Sequence, residues 1–337
     1  MKRYLLALLV CALTLSGCAP EASRGAAGFA PGEENRLVIY TSHKEEIYKP
    51  IIQEFEDRTG IWVQVQSGGT NEMLEQIALE SDFPQADLMF GGGVESLEAF
   101  SEHFTAVDIP EAEAVADKYR LPGSKWLPFS SLPVVLIYNP KLIGDSIPAG
   151  WESLLDPVYR GRIAFARPDV SGSSYTALAT LLQALPGDDD ELLRRFFENL
   201  GGNILSGSGE VVGAVSDGSC LVGITLEETA KKGIAAGEDI AMAYPAEGTS
   251  DVPDGVAVLK GCAHLQNAEA FISFILGRDV QKRLIDRYSR RSVRADLIAE
   301  QSPNTDMKTI DYDILWAGGQ KSAILKRWSE LAQGAEP

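Results

Sequence analysis

The feature that most constrains the fold of this chain is a repeated order of strand, loop of small residues, and helix. Three β-rich runs, at 36–40, 61–65 and 86–90, are each followed by a segment with helical character. In the first of these helices, 45–58, apolar side chains recur at helical spacing. Strands that alternate with helices in this way predict a mostly parallel sheet with helices on both faces.

A second unit of the same kind follows an extended tract. Residues 126–139 contain Pro128 and Pro133, which disfavour a helix, and end in the β-rich run Val134–Tyr138. This tract predicts a crossover strand between two α/β halves. The second half begins with the strand 161–165.

The N-terminal residues have the features of an export leader. Met1-Lys2-Arg3 precedes an apolar run that is too short to span a bilayer, and the run ends Leu15-Ser-Gly-Cys18. This ending resembles a lipobox, in which the cysteine is acylated. We therefore expect residues 1–17 to be removed, Cys18 to carry lipid, and 18–35 to be a flexible tether. The protein would then be exported and held by lipid at the outer face of the cytoplasmic membrane or in the periplasm.

The net charge and the pattern of histidine, cysteine and serine residues argue against several classes of function. The formal net charge is −18, and no basic stripe with interleaved aromatics is present, so a nucleic-acid partner is not expected. The three histidines and the cysteines lack paired metal-ligand spacing, and there is no Gly-x-Ser-x-Gly motif. A metal site, a cofactor and an exported hydrolase are therefore all disfavoured. Cys220 and Cys262 could form a disulfide or remain two thiols.

Loops of small polar residues occur at nearly every junction from strand to helix. Each could simply cap its helix, but five such loops from both halves favour a shared cleft, because ligands bind beyond the carboxyl ends of parallel strands. Helix N-termini offer unpaired N–H groups to an anion. None of the loops has the spacing of a Walker A or dinucleotide motif. The five loops are 41–43, 67–70, 91–93, 171–174 and 206–208.

Several segments together resemble the periplasmic solute-binding proteins of ABC importers, in the branch that contains ferric-ion, hexose-phosphate and phosphonate binders. The segments are Tyr40-Thr-Ser-His-Lys-Glu-Glu46, Phe55-Glu-x-x-Thr-Gly60, Ala86–Phe90, Val135–Asn139, Ser171–Tyr175 and Val252–Gly255. The resemblance implies a two-lobed fold, each lobe a mostly parallel sheet flanked by helices, joined by crossing strands and closing on its ligand like a hinge. Lobe 1 would comprise 36–135 and about 245–275, and lobe 2 would comprise 136–244 and about 276–330. It also implies a binding protein rather than an enzyme, with a small-molecule solute and ABC permease subunits as partners.

The differences from iron-binding relatives bear on the ligand. Those relatives use a histidine of the first loop, a glutamate after the third strand and two adjacent tyrosines. Here His43 fits the first position, but Gly92 stands at the second and Ile224-Thr-Leu-Glu-Glu228 at the third. Ferric iron needs several anionic oxygen ligands, so iron is disfavoured and a phosphorylated or phosphonate solute is the leading prediction. Ferric iron or a cationic ligand such as thiamine remains the alternative.

The predicted ligand-binding residues combine the loops with a few polar side chains. His43, Glu227 and Glu247 would contact hydroxyls or an amine of the solute. The full set is Thr41, Ser42, His43, Gly68, Gly69, Thr70, Gly91, Gly92, Tyr138, Ser171, Gly172, Ser173, Ser174, Ser206, Gly207, Ser208, Glu227 and Glu247.

Overall fold

Two β-sheets, each covered by helices, form the framework of the protein. The computed structural model describes residues 32–300 and 307–334. The predicted leader, Cys18 and the tether as far as residue 31 lie outside the described residues. Within the described residues, no helix combines the length and apolar character required to cross a membrane.

Twelve strands and eleven α-helices are described, together with short 3-10 turns. The strands are β1 (Arg36–Thr41), β2 (Trp62–Ser67), β3 (Leu88–Gly93), β4 (Phe104–Thr105), β5 (Leu127–Ser131), β6 (Val134–Tyr138), β7 (Ile163–Ala166), β8 (Ile204–Leu205), β9 (Val222–Leu226), β10 (Ala241–Ala243), β11 (Pro253–Leu259) and β12 (Arg291–Ser292). The helices are α1 (Glu45–Thr59), α2 (Thr70–Leu79), α3 (Val94–Ala99), α4 (Gly172–Ala184), α5 (Asp189–Leu200), α6 (Val211–Ser216), α7 (Glu227–Ala236), α8 (Leu265–Leu276), α9 (Arg278–Tyr288), α10 (Ala295–Glu300) and α11 (Ile314–Gly334).

The strand order confirms the predicted two-lobed α/β architecture. The larger sheet has the order β12-β5-β11-β3-β1-β2, with β4 also paired to β11, and the smaller sheet has the order β10-β6-β9-β7-β8. The sheets are mixed rather than mostly parallel. Strand β1 pairs in parallel with β2 and β3, and strand β7 pairs in parallel with β8 and β9. The strands next to the two crossings between lobes, β5, β6, β10 and β11, pair antiparallel because the chain enters each sheet there from the other lobe.

The crossings define which segments belong to which sheet. The chain leaves the larger sheet after β5 and returns to it with β11, so 134–243 supplies the smaller sheet. One difference from the predicted boundaries concerns α9 and β12, which fall in the segment 276–330 assigned to lobe 2. Leu284 of α9 belongs to the core of lobe 1. Strand β12 pairs with β5 of the larger sheet. Two residues are too short to produce a recognisable alternation of apolar and polar side chains, so the sequence pattern did not reveal it.

Each lobe has its own aromatic-rich core. In lobe 1, Phe55 of α1 packs edge-on against Phe271, and Phe90 does the same against Phe129 and Phe271. In lobe 2, Phe165 packs against Phe196 and against Trp328 of α11. Trp328 belongs to the lobe 2 core although α11 also packs against α3 of lobe 1. The C-terminal helix therefore spans both lobes.

The two cysteines lie in different lobes. Cys220 is buried in lobe 2, and Cys262 packs against the core of lobe 1. Both are free thiols. The disulfide that the sequence left open is thus not formed.

Candidate functional site

A polar cavity of about 330 Å³ lies between the two lobes. Loops at the carboxyl ends of β1, β2 and β3 form one wall, and loops after β7, β8 and β9 form the other. This volume is within the range of sites that enclose small organic ligands. Its lining joins residues that are far apart in the sequence.

The lobe 2 wall is built around the start of α4. Ser171 caps this 13-residue helix, since its Oγ accepts a hydrogen bond from the backbone N–H of Ser174 at 3.3 Å. The Oγ atoms of Ser171 and Ser173 are 3.1 Å apart, and both residues line the cavity. The first N–H groups of a helix have no partner within it, and the helix dipole is positive there. The wall is therefore suited to an anion.

The lobe 1 wall includes His43, which Thr41 holds in place. The buried Thr41 hydroxyl donates to the carbonyl of Phe90 at 2.6 Å and accepts from the N–H of His43 at 3.1 Å. The imidazole packs edge-on against Phe90, with ring centroids 4.4 Å apart. Burial, together with the nearby Arg290 guanidinium, lowers the pKa of His43 well below its usual range, so the ring is neutral at pH 7.

Two glycine residues allow the backbone to approach Thr70 closely at one end of the cavity, Gly172 from lobe 2 and Gly92 from within lobe 1. A Cβ atom at Gly172 would lie 2.5 Å from Thr70 Oγ1, and one at Gly92 would lie 2.6 Å from Thr70 Cγ2. Gly92 also has a φ of +86°, which disfavours any residue with a side chain. The amide of Asn71 donates to the carbonyl of Asp169 in lobe 2 at 2.8 Å. A glutamate of the iron-binding type at position 92 would therefore not fit this arrangement.

Three buried charged side chains in the cavity lining were not predicted. Asp254, Arg290 and Glu228 are each at least nine-tenths buried. Arg290 Nη1 donates to Asp254 Oδ2 at 2.7 Å, and its Nη2 lies 3.6 Å from Glu228 Oε1. Asp254 lies in the segment Val252–Gly255, which carries part of the family resemblance, but the sequence did not indicate its role. Arg290 comes just after the end of α9, where no sequence motif marks it. Only the tertiary fold brings these residues to one place.

The structure separates the predicted binding residues into two groups. Those that line the cavity are Ser42, His43, Gly69, Thr70, Gly92, Ser171, Gly172, Ser173, Gly207 and Ser208. Those outside its lining are Thr41, Gly68, Gly91, Tyr138, Ser174, Ser206, Glu227 and Glu247.

The two glutamates of the second group have partners within the protein. Glu247 accepts hydrogen bonds from the backbone N–H groups of Trp151 and Glu152, at 3.0 and 2.9 Å. Glu227 accepts two from Arg291 of lobe 1, at 2.7 and 2.8 Å. The hydrogen-bonding capacity of these carboxylates is thus largely used in holding the fold together.

The fold and the cavity together define a class of protein. Two α/β lobes that are joined by crossing strands and enclose a polar cavity form the framework of extracytoplasmic solute-binding proteins. The family model described as bacterial extracellular solute-binding protein matches residues 85–316, and the chain belongs to this family. The predicted class, a solute-binding protein of an ABC importer rather than an enzyme, is confirmed.

Relatives within this class differ in the ligands for which they are named or with which they were solved. The Fe(3+)-binding periplasmic protein of Serratia marcescens is 26% identical over 268 residues, covering 76% of this chain and 78% of the relative. A putative 2-aminoethylphosphonate-binding periplasmic protein of Salmonella typhi is 23% identical, covering 74% and 75%. The structure of the periplasmic binding protein AfuA from Actinobacillus pleuropneumoniae, with exogenous fructose-6-phosphate bound, superimposes with a TM-score of 0.79. It has 26% identity and covers 88% of this chain and 98% of AfuA.

Proposed function

We propose that this protein binds a small phosphorylated or phosphonate-type anion outside the cytoplasm and delivers it to an ABC importer by closure of the lobes. The observation that carries the proposal is the start of α4, where Ser171 and Ser173 face the cavity between the lobes. A phosphate group there would accept hydrogen bonds from the helix N–H groups and the serine hydroxyls. Relatives named for a phosphonate or solved with a sugar phosphate support this ligand class.

A ferric-ion ligand is the second candidate, because an iron-binding relative is about as similar and His43 lines the cavity. The carboxylates nearby already have cationic partners. Asp254 is paired with Arg290, and Glu228 Oε2 lies 3.0 Å from Lys232 Nζ. Within the described part of the chain, no three His, Cys, Asp or Glu side chains are grouped as metal ligands. A ferric ion would have to displace fixed cations, and so the anion is favoured.

The proposal is tested by replacing Ser173 with aspartate. The new carboxylate would repel a bound anion, yet an acidic residue is favourable in the first turn of a helix, so the fold should be retained. We expect fructose 6-phosphate or 2-aminoethylphosphonate to raise the unfolding temperature of the wild type, and Ser173→Asp to lower the affinity by roughly tenfold or more. Thermal shift, followed by isothermal titration calorimetry, measures both.

Ser322→Asp is the matched control, since it makes the same change at an exposed position of α11. It should bind as the wild type does. Ferric citrate and thiamine complete the ligand panel. Stabilisation by these cations alone, unaffected by Ser173→Asp, or a coloured stoichiometric iron complex, would contradict the proposal.

A further inference from the structure

Arg290 occupies a distinctive place in the cavity wall. Ser289, which ends α9, has a φ of 57°, and among the described residues it is the one non-glycine residue with a positive φ. The next residue, Arg290, is 6% exposed and lines the cavity. Its neighbour Arg291 lies in β12 and pairs with Glu227 instead. Two adjacent arginines thus have different surroundings, and of the two only Arg290 lines the cavity.

The Arg290 guanidinium is fixed before any ligand binds. Its Nη1 donates to Asp254 Oδ2 at 2.7 Å and to Ser130 Oγ at 3.1 Å. Asp254 is in turn held by the N–H and the hydroxyl of Ser130, both 2.7 Å from Oδ1. A group held in this way loses little freedom when a ligand contacts it.

Two buried nitrogens in this wall lack hydrogen-bond partners within the described residues. They are Arg290 Nε and His43 Nε2. The imidazole nitrogen lies 3.6 Å from Asp254 Oδ2, which is beyond hydrogen-bonding distance. Since buried polar atoms in folded proteins are almost always paired, and both residues line the cavity, the missing partners are expected on the solute.

The fixed charges around these nitrogens are balanced. Arg290 is paired with Asp254, and Glu228 with Lys232. His43 is neutral, and Lys44 lies at the exposed rim of the cavity. An ammonium or carboxylate of the solute at this wall would have no compensating charge. A hydroxyl, in contrast, can accept from Arg290 Nε and donate to Glu228 Oε1.

We infer that Arg290 and His43 determine specificity by binding an uncharged, hydroxyl-bearing end of the solute, on the wall across the cavity from the anion at the start of α4. The inference rests on the proposed function for the anionic end. It distinguishes a hydroxylated phosphate or phosphonate from one that carries an amine.

The test compares ligands that share the anionic end, titrated calorimetrically into the purified mature protein. One pair is 2-hydroxyethylphosphonate and 2-aminoethylphosphonate, and the other is glucose 6-phosphate and glucosamine 6-phosphate, with inorganic phosphate as the probe for the anion alone. In each pair that gives measurable heat, we expect the hydroxyl member to bind at least tenfold tighter. Arg290→Lys keeps the charge beside Asp254 but removes Nε, so it should weaken the hydroxyl members roughly tenfold and leave inorganic phosphate unchanged.

Arg287→Lys, the same change at an exposed position of α9, should behave as the wild type. His43→Leu removes the second nitrogen and should act in the same direction, and it carries the test if Arg290→Lys does not fold. Equal or tighter binding of the amine members, or equal weakening of inorganic phosphate by Arg290→Lys, would overturn the inference alone. Failure of all five probes to bind would instead overturn the proposed function.

Discussion

At the scale of single residues, two ion pairs with buried carboxylates link the two lobes. The adjacent carboxylates Glu227 and Glu228 begin α7 in lobe 2, and the adjacent arginines Arg290 and Arg291 come from lobe 1. Removing one member of a buried pair is costly, because the other is left without a counter-charge. These pairs therefore connect the stability of the protein to the contact between the lobes.

The pH dependence of stability should reveal the pair formed by Glu227 and Arg291. Burial alone would raise the pKa of Glu227, but hydrogen bonds from Arg291, Tyr244 and Lys231 outweigh it and lower that pKa to about 2. An acid whose pKa is lower in the folded state contributes stability above its unfolded pKa and loses it as the pH falls toward its folded pKa. We expect Glu227→Gln to be less stable than the wild type by on the order of 2 kcal/mol at pH 7. This difference should shrink as the pH falls from about 4.5 toward 2.

Urea unfolding at a series of pH values measures this difference directly. Glu75→Gln is the matched control, since it removes an exposed carboxylate from α2 and should change the free energy of unfolding little at any pH. A gap between wild type and Glu227→Gln that stays constant down to pH 3 would show that the carboxylate does not act through its charge.

At the scale of elements, the contact between α2 and α4 depends on the absence of a side chain at Gly172. The hydroxyl and Cβ of Thr70 occupy the space where an alanine Cβ would lie, at 2.5 and 2.9 Å. A rotamer change of Thr70 would move the hydroxyl but not its Cβ. The close approach of the two helix starts is thus built into the backbone.

Gly172→Ala should therefore hold the lobes apart without unfolding the protein, because alanine is a better helix former than glycine. We expect a larger radius of gyration by small-angle X-ray scattering and a weaker affinity for the ligand identified by the Ser173 experiment. Adding Thr70→Gly should relieve the contact and restore both. Gly319→Ala in α11, where no atom lies within 4 Å of the added Cβ, should leave the radius of gyration unchanged. An unaltered radius in Gly172→Ala would mean that the lobes accommodate the methyl group locally.

At the scale of the whole molecule, the predicted lipid on Cys18 would place the binding domain at a membrane surface, next to its transporter. The predicted tether, 18–35, would end before Glu33, because Glu33–Asn35 form a 3-10 turn and the Asn267 amide donates to the carbonyl of Glu34. We expect Cys18→Ser to abolish lipid attachment, so that the protein becomes soluble or keeps its leader. Mass spectrometry of the N-terminal peptide and membrane fractionation follow the outcome.

Cys11→Ser provides the comparison for this experiment, since that residue lies in the predicted leader and should not affect acylation. Equal membrane retention of wild type and Cys18→Ser would show that the lipobox interpretation is wrong.

The class of protein and most of the helices and strands could be predicted from the amino-acid sequence. Strands and helices alternate, and apolar residues are spaced at helical intervals in α1. Both patterns depend on residues close together in the chain, so they can be recognised without a structure. Small residues at the ends of β1, β2 and β3 likewise indicated where helices begin, because caps and glycine turns are local requirements. These loops form much of the cavity wall.

The identity of the polar side chains that face the cavity, in contrast, depends on the three-dimensional fold. Glu227 and Glu228 are adjacent in the sequence, yet they lie in different places. Glu228 lines the cavity, whereas Glu227 lies outside the lining and accepts hydrogen bonds from Arg291. Ser130, Asp254 and Arg290 are widely separated along the chain and meet only because β5, β11 and the end of α9 come together in lobe 1. The spacing of apolar residues indicates which face of a helix or strand is buried. It does not indicate which distant carboxylate will pair with a given arginine. That pairing is set by long-range packing, because a charge buried by the fold needs a partner that the same fold brings to it.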